Sequence, residues 1–157
     1  MWEMVQLKKI LVAYDGSSHS KEALNWAVDL SLLSGAEIIA VKVFAGSELY
    51  GATEDSVANF LVVREDMRRE KHELMNKMHQ QLMDEVSDVG EKRGVKVKGV
   101  VREGNVAGEI ISYAKENAID LIVTGTKGQG KLEKLLMGSV TRNLVSLAHI
   151  PVLVVKD

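Results

Sequence analysis

The sequence predicts an α/β protein in which five parallel strands form one doubly wound sheet flanked by four helices. Short apolar runs of strand length recur along the chain, segments of helical periodicity separate them, and glycines mark the ends of elements. A strand–helix–strand unit cannot close as a hairpin, so the strands are expected to run parallel with right-handed crossovers. The 157 residues suit one domain spanning 1–157.

The first strand, helix and second strand can be placed from their apolar residues. Ile10 to Tyr14 are five consecutive apolar residues, as expected for a strand buried on both faces. After a polar turn, one helix face is predicted to carry Leu24, Ala27, Val28, Ser31 and Leu32. Gly35 ends this helix, and Glu37 to Phe44 form the second strand.

A long polar helix is predicted next, from about Ser56 to Lys92. Its apolar residues are spaced by threes, fours and sevens, namely Phe60, Met67, Leu74, Met78, Leu82, Val86 and Val89. This stripe is narrow, so much of the helix faces water or a partner. After Gly94, the segment from Val95 to Val101 alternates apolar and polar residues, which predicts an edge strand protected by lysines.

The last two units complete the alternation. Gly104 and Asn105 lead into a short helix with apolar residues Val106, Ile110, Ile111 and Ala114. Asp120 to Thr124 form a buried strand, a helix ends near Ala148, and the final strand is Val152 to Val155. Such sheets bind ligands at the carboxyl ends of strands where strand order reverses. The loops that begin at Asp15, Gly104 and Gly125 are therefore the places to search.

Composition excludes several classes of function. Twenty basic and twenty-two acidic residues give a net charge of −2, so nothing favours binding to nucleic acid or a membrane surface. The absence of cysteine excludes disulfides, thiolate metal sites and cysteine nucleophiles. Because no apolar stretch is long enough to span a membrane and the N-terminus lacks signal-peptide features, we expect a cytoplasmic protein.

The segment from Gly125 to Thr141 carries the strongest functional signal. Four glycines fall within fourteen residues, and a Gly-Ser pair precedes a helix start. Glycines let backbone amides approach an anion, and a helix N-terminus offers N–H groups and a positive dipole to phosphate. A P-loop is disfavoured because Leu132 stands where a hydroxyl must bind magnesium, and no dinucleotide fingerprint follows the first strand.

The spacing of Gly125, Gly128, Gly138 and Ser139 resembles that of the ATP-binding members of the universal stress protein family. The resemblance extends to four further segments: Val12 to Asp15, Val41 to Val43, Arg102 to Gly104, and Pro151 to Val155. It implies a Rossmann-like, HUP-type fold and ATP as the bound cofactor.

The resemblance also implies particular site residues. Asp15 would lie near the ribose, the phosphates and a Mg or Mn ion, and the Val43 backbone would read the adenine edge. The candidate nucleotide-binding residues are Ala13, Tyr14, Asp15, Val43, Gly104, Thr124, Gly125, Gly128, Gly138, Ser139, Val140 and Thr141. From the residues alone, Asp15 could as well cap the first helix as contact a ligand. Ser139 could be an N-cap and Thr141 an ordinary helical threonine, a geometry that also binds phosphate.

The sequence favours binding over catalysis. The four histidines form no metal-binding pattern, and neither a catalytic triad nor a water-activating base can be named, so no catalytic residue is predicted. The leading hypothesis is an ATP-binding regulatory or stress-response protein. The alternatives are a slow Mg-dependent ATP hydrolase and a dimeric interaction module. The family resemblance implies a homodimer joined through the C-terminal strand.

Overall fold

The computed structural model describes residues 2–45, 63–127 and 137–156, without the side chains of 63–65. The strands are β1 (Lys9–Ala13), β2 (Glu37–Phe44), β3 (Val97–Glu103), β4 (Leu121–Gly125) and β5 (Val152–Val155). The helices are α1 (Ser18–Ser34), α2 (Val63–Glu91), α3 (Val106–Glu116) and α4 (Ser139–Leu147). The predicted start of the long helix, with Phe60, and the loop residue Gly128 lie outside the described residues.

The strands form one parallel sheet in the order β3-β2-β1-β4-β5. In the central register, Val12 of β1 lies between Ala40 of β2 and Val123 of β4. The chain moves outward from β1 to β3 and then returns to the other side of β1, so strand order reverses between β1 and β4. This confirms the predicted fold class and the edge position of β3.

Each face of the sheet has its own hydrophobic core. Ile10 and Val12 of β1 pack with α1 and α2, whereas Leu11 packs on the opposite face with α3 and α4. All three side chains are fully buried. Burial on both faces explains why β1 is a continuous apolar run, unlike the alternating edge strand β3.

Helix α1 ends at Gly35 as predicted, but its N-cap is Ser17, and Leu32, which was predicted to lie on the buried face, is exposed. The Ser17 side chain accepts a hydrogen bond from the Ser20 amide, and Gly35 ends the helix with φ 77°. Leu32 is 53% exposed. It lies eight residues beyond Leu24, which at 3.6 residues per turn rotates it by about 80° around the helix axis, away from the core.

Helix α2 is buried mainly towards its C-terminal end. Leu82 and Val86 are almost inaccessible to solvent, but Leu74, earlier in the same stripe, is 37% exposed. The helix packs against β3 at the edge of the sheet. In the described ranges, no helix is long and apolar enough to cross a membrane.

Candidate functional site

A cleft of about 500 Å³ opens at the carboxyl ends of β1, β2 and β4, where strand order reverses. Ten residues singled out from the sequence line it: Ala13, Tyr14, Asp15, Val43, Thr124, Gly125, Gly138, Ser139, Val140 and Thr141. They come from two segments that are more than a hundred residues apart and from the end of β2. The parallel topology brings all of them to one edge of the sheet.

Gly104 does not line this cleft. Its backbone has φ 140°, and a Cβ atom there would lie 3.0 Å from Cγ of Glu109. Its N–H donates a 3.0 Å hydrogen bond to the carbonyl oxygen of Phe44, which is a cleft residue. Gly104 therefore holds a cleft residue in place without lining the cleft. Glycine is needed at this position because other residues rarely adopt its φ value.

The N-terminus of α4 lies at the cleft without a side-chain cap. Its N-cap residue is Gly138 and not Ser139, which is the first residue of the helix, and Gly138 makes no side-chain hydrogen bond to the helix. By contrast, Ser17 caps α1 and Asn105 caps α3, the helices that follow β1 and β3. The first N–H groups of a helix have no intrahelical acceptor. At α4 these groups, from Ser139 onward, have no acceptor within the helix or from the side chain of its N-cap, and Ser139, Val140 and Thr141 line the cleft.

One backbone hydrogen bond and one side-chain hydrogen bond connect the start of α4 to the end of β4. The Gly138 N–H donates to the carbonyl oxygen of Thr126 at 2.7 Å. The buried hydroxyl of Thr141 donates to the carbonyl oxygen of Gly125, also at 2.7 Å. The hydroxyl of Thr124 donates to the same carbonyl at 3.2 Å. Both threonine hydroxyl groups thus donate their protons within the protein. The donor that Thr141 can offer a ligand is its backbone N–H.

Gly125 is required by helix packing. A Cβ atom at this position would lie 2.8 Å from Cβ of His19 and 2.9 Å from the His19 carbonyl oxygen. Real Cβ atoms do not approach backbone so closely. The sequence suggested one reason for glycine at this position, which is ligand access to the main chain. The structure adds a second reason, which is the close approach of α1.

Asp15 is not the N-cap of α1, one of the two roles that the sequence left open for it, because that cap is Ser17. Its Oδ1 accepts a 2.9 Å hydrogen bond from the Ser17 N–H, which orders the turn into α1. The residue also lines the cleft, where it is the one carboxylate among the described lining residues. Magnesium in nucleotide sites is commonly held by one or two carboxylates together with phosphate oxygens. A single aspartate here is compatible with such an ion.

No larger acidic or histidine cluster is present in the described part of the chain. There, no three His, Cys, Asp or Glu side chains converge closely enough to hold a metal ion. A metal at this cleft would therefore depend on the ligand's own oxygens in addition to Asp15.

Tyr14 connects the floor of the cleft to α2. Its hydroxyl donates a 2.8 Å hydrogen bond to Oε2 of Glu85. Burial and, next, this hydrogen bond to the Glu85 carboxylate raise the pKa of Tyr14 well above its usual value. The side chain packs in the core between the sheet and α1 and α2, so only part of the residue is presented to the cleft.

Eight further residues, which were not among the predicted binding residues, also line the cleft: Ser20, Val41, Lys42, Phe44, Met78, Val106, Ile110 and Lys127. Val41, Val106 and Ile110 make an apolar wall where β2 meets α3. The i, i+4 spacing of Val106 and Ile110 at the start of α3 could have indicated this wall. Nothing in the local sequence could have indicated Met78, because its place depends on how α2 docks.

With this geometry established, comparison with known proteins identifies the family. The family model described as "Universal stress protein family" matches residues 6–156. The chain belongs to the universal stress protein family. Universal stress protein MJ0531 of Methanocaldococcus jannaschii is 34% identical over 149 residues, which cover 95% of this chain and 82% of that protein.

Solved structures agree with this assignment. The structure of MJ0577, from the same archaeon, has a TM-score of 0.78 and 29% identity, with 98% of each chain covered. Two more distant structures share the fold. One is a universal stress protein in complex with cAMP, at TM-score 0.65 and 20% identity, covering 97% of this chain and 98% of that one. The other is an Arabidopsis thaliana family protein with AMP bound, at TM-score 0.61 and 19% identity, covering 95% and 91%.

Proposed function

We propose that this universal stress protein binds ATP in the cleft and acts as a regulatory or stress-response protein through nucleotide binding. The observation that carries the proposal is the uncapped N-terminus of α4 at the cleft. Backbone N–H groups and the helix dipole at such a terminus favour phosphate oxygens. The AMP and cAMP held by two proteins of the same fold support an adenine nucleotide as the ligand class.

The rest of the cleft suits the other parts of a nucleotide. The apolar wall of Val41, Val106 and Ile110 offers a surface for a purine ring, and the end of β2 at Val43 offers backbone groups to its edge. Asp15 follows β1, which lies between β2 and β4 in the sheet, and lines the same cleft, where it could contact a ribose and a Mg or Mn ion. A cleft of about 500 Å³ is within the range of small-molecule sites.

Calorimetric titration with ATP, ADP and AMP tests the proposal. We expect an ATP dissociation constant of about 1 μM or lower, corresponding to about −8 kcal/mol. The absence of binding by all three nucleotides at high protein concentration would contradict the proposal.

A pair of variants at Ser139 tests the role of the helix terminus. Ser139→Pro removes the first N–H of α4 together with the hydroxyl, and proline is well tolerated at a first helical position. The preceding residue, Gly138, already has the extended conformation that proline requires, with ψ 161°. Ser139→Ala removes the hydroxyl alone.

We expect Ser139→Pro to weaken ATP binding by about tenfold or more relative to Ser139→Ala, the size of one hydrogen bond to a charged group. Circular dichroism checks that α4 persists in both variants. Equal affinity of the two variants would remove this N–H group from the phosphate site.

Slow Mg-dependent hydrolysis is the enzymatic alternative. Asp15 is the one described cleft carboxylate, and its Oδ1 is already hydrogen-bonded to the Ser17 amide. This arrangement favours holding a metal–nucleotide complex over activating water. Phosphate release measured with excess ATP and magnesium distinguishes the two, and turnover on the order of 1 per second or faster would favour the enzyme.

A dimeric interaction module is supported by the position of β5. This strand lies at an edge of the sheet, paired with β4 alone, and its residues Val152 to Val154 are only partly buried. An apolar edge strand presents unpaired backbone groups that favour pairing with another chain. We propose a homodimer in which two β5 strands pair antiparallel.

The variant Val154→Pro tests this pairing. Ile122 donates its N–H to the carbonyl of Pro151, so in the parallel pattern the Leu153 amide faces β4 and the Val154 amide faces outward. Proline at such an outward position spares the sheet itself. Sedimentation at micromolar concentration is expected to give a dimer for the unmodified chain and a monomer for the variant. A monomeric unmodified chain would refute the dimer.

A further inference from the structure

Two side chains of α2 bind the backbone of Gly99 in the edge strand β3. The Gly99 N–H donates to the sulfur of Met83 at 3.1 Å, and its carbonyl accepts a 3.1 Å hydrogen bond from Nε2 of His79. His79 and Met83 are four residues apart, so they lie on the same face of the helix. We call this arrangement the Gly99 clasp.

The clasp is tightly packed around the sulfur. A Cβ atom at Gly99 would lie 2.9 Å from the sulfur of Met83 and 3.2 Å from Cδ2 of Leu82. A side chain at position 99 would therefore displace the Met83 sulfur from the edge strand. The packing leaves no space for an additional atom between the Met83 sulfur and the Gly99 amide.

We propose that Met83 is an oxidation site at which a hydroperoxide detaches α2 from β3. With hydrogen peroxide, the sulfur attacks one peroxide oxygen, and an S–O bond forms as the O–O bond breaks. The S–OH group formed passes its proton to the leaving hydroxide, which becomes water. The thioether loses two electrons and becomes a sulfoxide, and the peroxide is reduced by two electrons. Met83 is only partly buried, which gives hydrogen peroxide access to it.

The product does not fit the clasp. The Met83 sulfur and the Gly99 nitrogen are 3.1 Å apart, and an N–H···O contact alone takes about 2.9 Å, so an added oxygen cannot lie between them while the sulfur stays in place. A polar sulfoxide is also unfavourable beside Leu82, whose Cδ2 would lie 3.2 Å from a Cβ atom at Gly99, so we expect the oxidised side chain to leave the clasp and α2 to separate from β3. The amide of Gly99 then loses its protected contact at the edge of the sheet.

A movement of α2 would also reach the cleft. Met78 of α2 lines the cleft, and Glu85 of α2 binds the Tyr14 hydroxyl at its floor. Oxidation of Met83 therefore changes one wall of the site from a position outside it. The inference does not depend on the nucleotide proposal, because its test uses no nucleotide.

The test treats the purified chain with hydrogen peroxide and follows two readouts. Peptide mass mapping reports sulfoxide at each methionine, and Met4, which is 90% exposed, serves as the internal standard for full oxidation. Hydrogen exchange reports the Gly99 amide. We expect a sulfoxide at Met83 and about tenfold faster exchange at Gly99, the factor for losing one hydrogen bond. Methionine sulfoxide reductases should restore slow exchange.

Two variants make the result specific. Met83→Leu conserves volume, folds at small cost, and is expected to exchange fast at Gly99 with no further response to peroxide. Met75→Leu, on the same helix, is expected to respond like the unmodified chain. The proposal is overturned if Met83 stays a thioether after Met4 is fully oxidised, if oxidised Met83 leaves Gly99 exchange unchanged, or if Met83→Leu responds to peroxide as strongly as the unmodified chain.

Discussion

The Thr141 hydroxyl donates a 2.7 Å hydrogen bond to the carbonyl oxygen of Gly125, joining the first turn of α4 to the last residue of β4. Both residues line the cleft, and Thr141 is buried. The bond spans sixteen residues of chain that include the glycine-rich loop. It therefore holds the α4 N-terminus in place whatever the loop between them does.

Replacing Thr141 by valine keeps the shape of the side chain and removes the donor. We expect the free energy of unfolding to fall by about 1 kcal/mol, the usual net value of a hydrogen bond, because the Thr124 hydroxyl still satisfies the Gly125 carbonyl. Urea denaturation measures this change. Nucleotide affinity should fall as well, since the α4 amides lose their fixed position.

Thr141→Ser is the matched control, because it retains the hydroxyl and loses only a methyl group. We expect it to bind nucleotide like the unmodified protein. If the serine and valine variants weaken binding equally, the hydroxyl does not position α4.

Gly125→Ala tests the contact between β4 and α1. The added Cβ would lie 2.8 Å from the side chain and 2.9 Å from the backbone of His19, so strand and helix must separate. Overpacking of this kind costs about 1–3 kcal/mol, which thermal or urea unfolding would detect. Gly35→Ala is a useful comparison, because φ is 77° there but nothing lies within 4 Å of the new Cβ. A fully stable Gly125→Ala protein would show that α1 yields easily at this point.

Tyr14 predicts a loss of stability at alkaline pH. Burial, followed by the Glu85 hydrogen bond, raises its pKa in the folded protein above that of the unfolded chain, which is about 10. Above that pH the unfolded chain releases the Tyr14 proton while the folded protein retains it. The unfolded state then binds fewer protons, so the free energy of unfolding falls as pH rises.

Tyr14→Phe should flatten this alkaline decline in urea-denaturation profiles collected from neutral to high pH. Tyr113→Phe is the comparison variant, because burial also raises the pKa of Tyr113, but by less. We expect it to flatten the decline less than Tyr14→Phe does. Superimposable profiles for Tyr14→Phe and the unmodified protein would contradict the shift.

Much of the fold followed from the sequence because its signals are local. The second strand has the predicted bounds, Glu37 to Phe44, since it is apolar from Ile38 onward except for Lys42 and glycines stand near both of its ends. Gly35 ends α1 in the left-handed conformation that glycine adopts most readily. The spacing from Gly125 to Ser139 led to residues that the structure brings to one cleft, with Gly128 outside the described residues.

What the sequence could not predict depends on contacts between distant elements. The close approach of α1 to Gly125 and the bond from Thr141 to its carbonyl exist only once β4, α1 and α4 have packed. Met78 lines the cleft because of the way α2 packs on the sheet. The apolar stripe of α2 is too narrow to predict that orientation from the sequence. Leu32 fits the helical pattern but extends past the width of the buried face.

The carboxylate of Asp120 provides a final prediction, at the opposite end of the sheet from the cleft. Its Oδ2 accepts hydrogen bonds from the Lys8 and Lys9 amides at 2.8 and 2.9 Å, joining the start of β4 to the start of β1. Hydrogen bonds to a charged group each contribute about 1.5–3 kcal/mol, less where water competes, so Asp120→Ala should lower the free energy of unfolding by about 2 kcal/mol. Asp120→Asn keeps one acceptor oxygen and should lose less.

Asp84→Asn serves as the surface control in the same urea-denaturation experiment, because Asp84 is exposed and its hydrogen-bond partner is Gln80, one turn earlier in α2. We expect its effect to stay within about 0.5 kcal/mol. ATP affinity should be unchanged in Asp120→Ala, since the substitution is far from the cleft. A loss of stability no larger than that of Asp84→Asn would show that water replaces the carboxylate at the two lysine amides without cost.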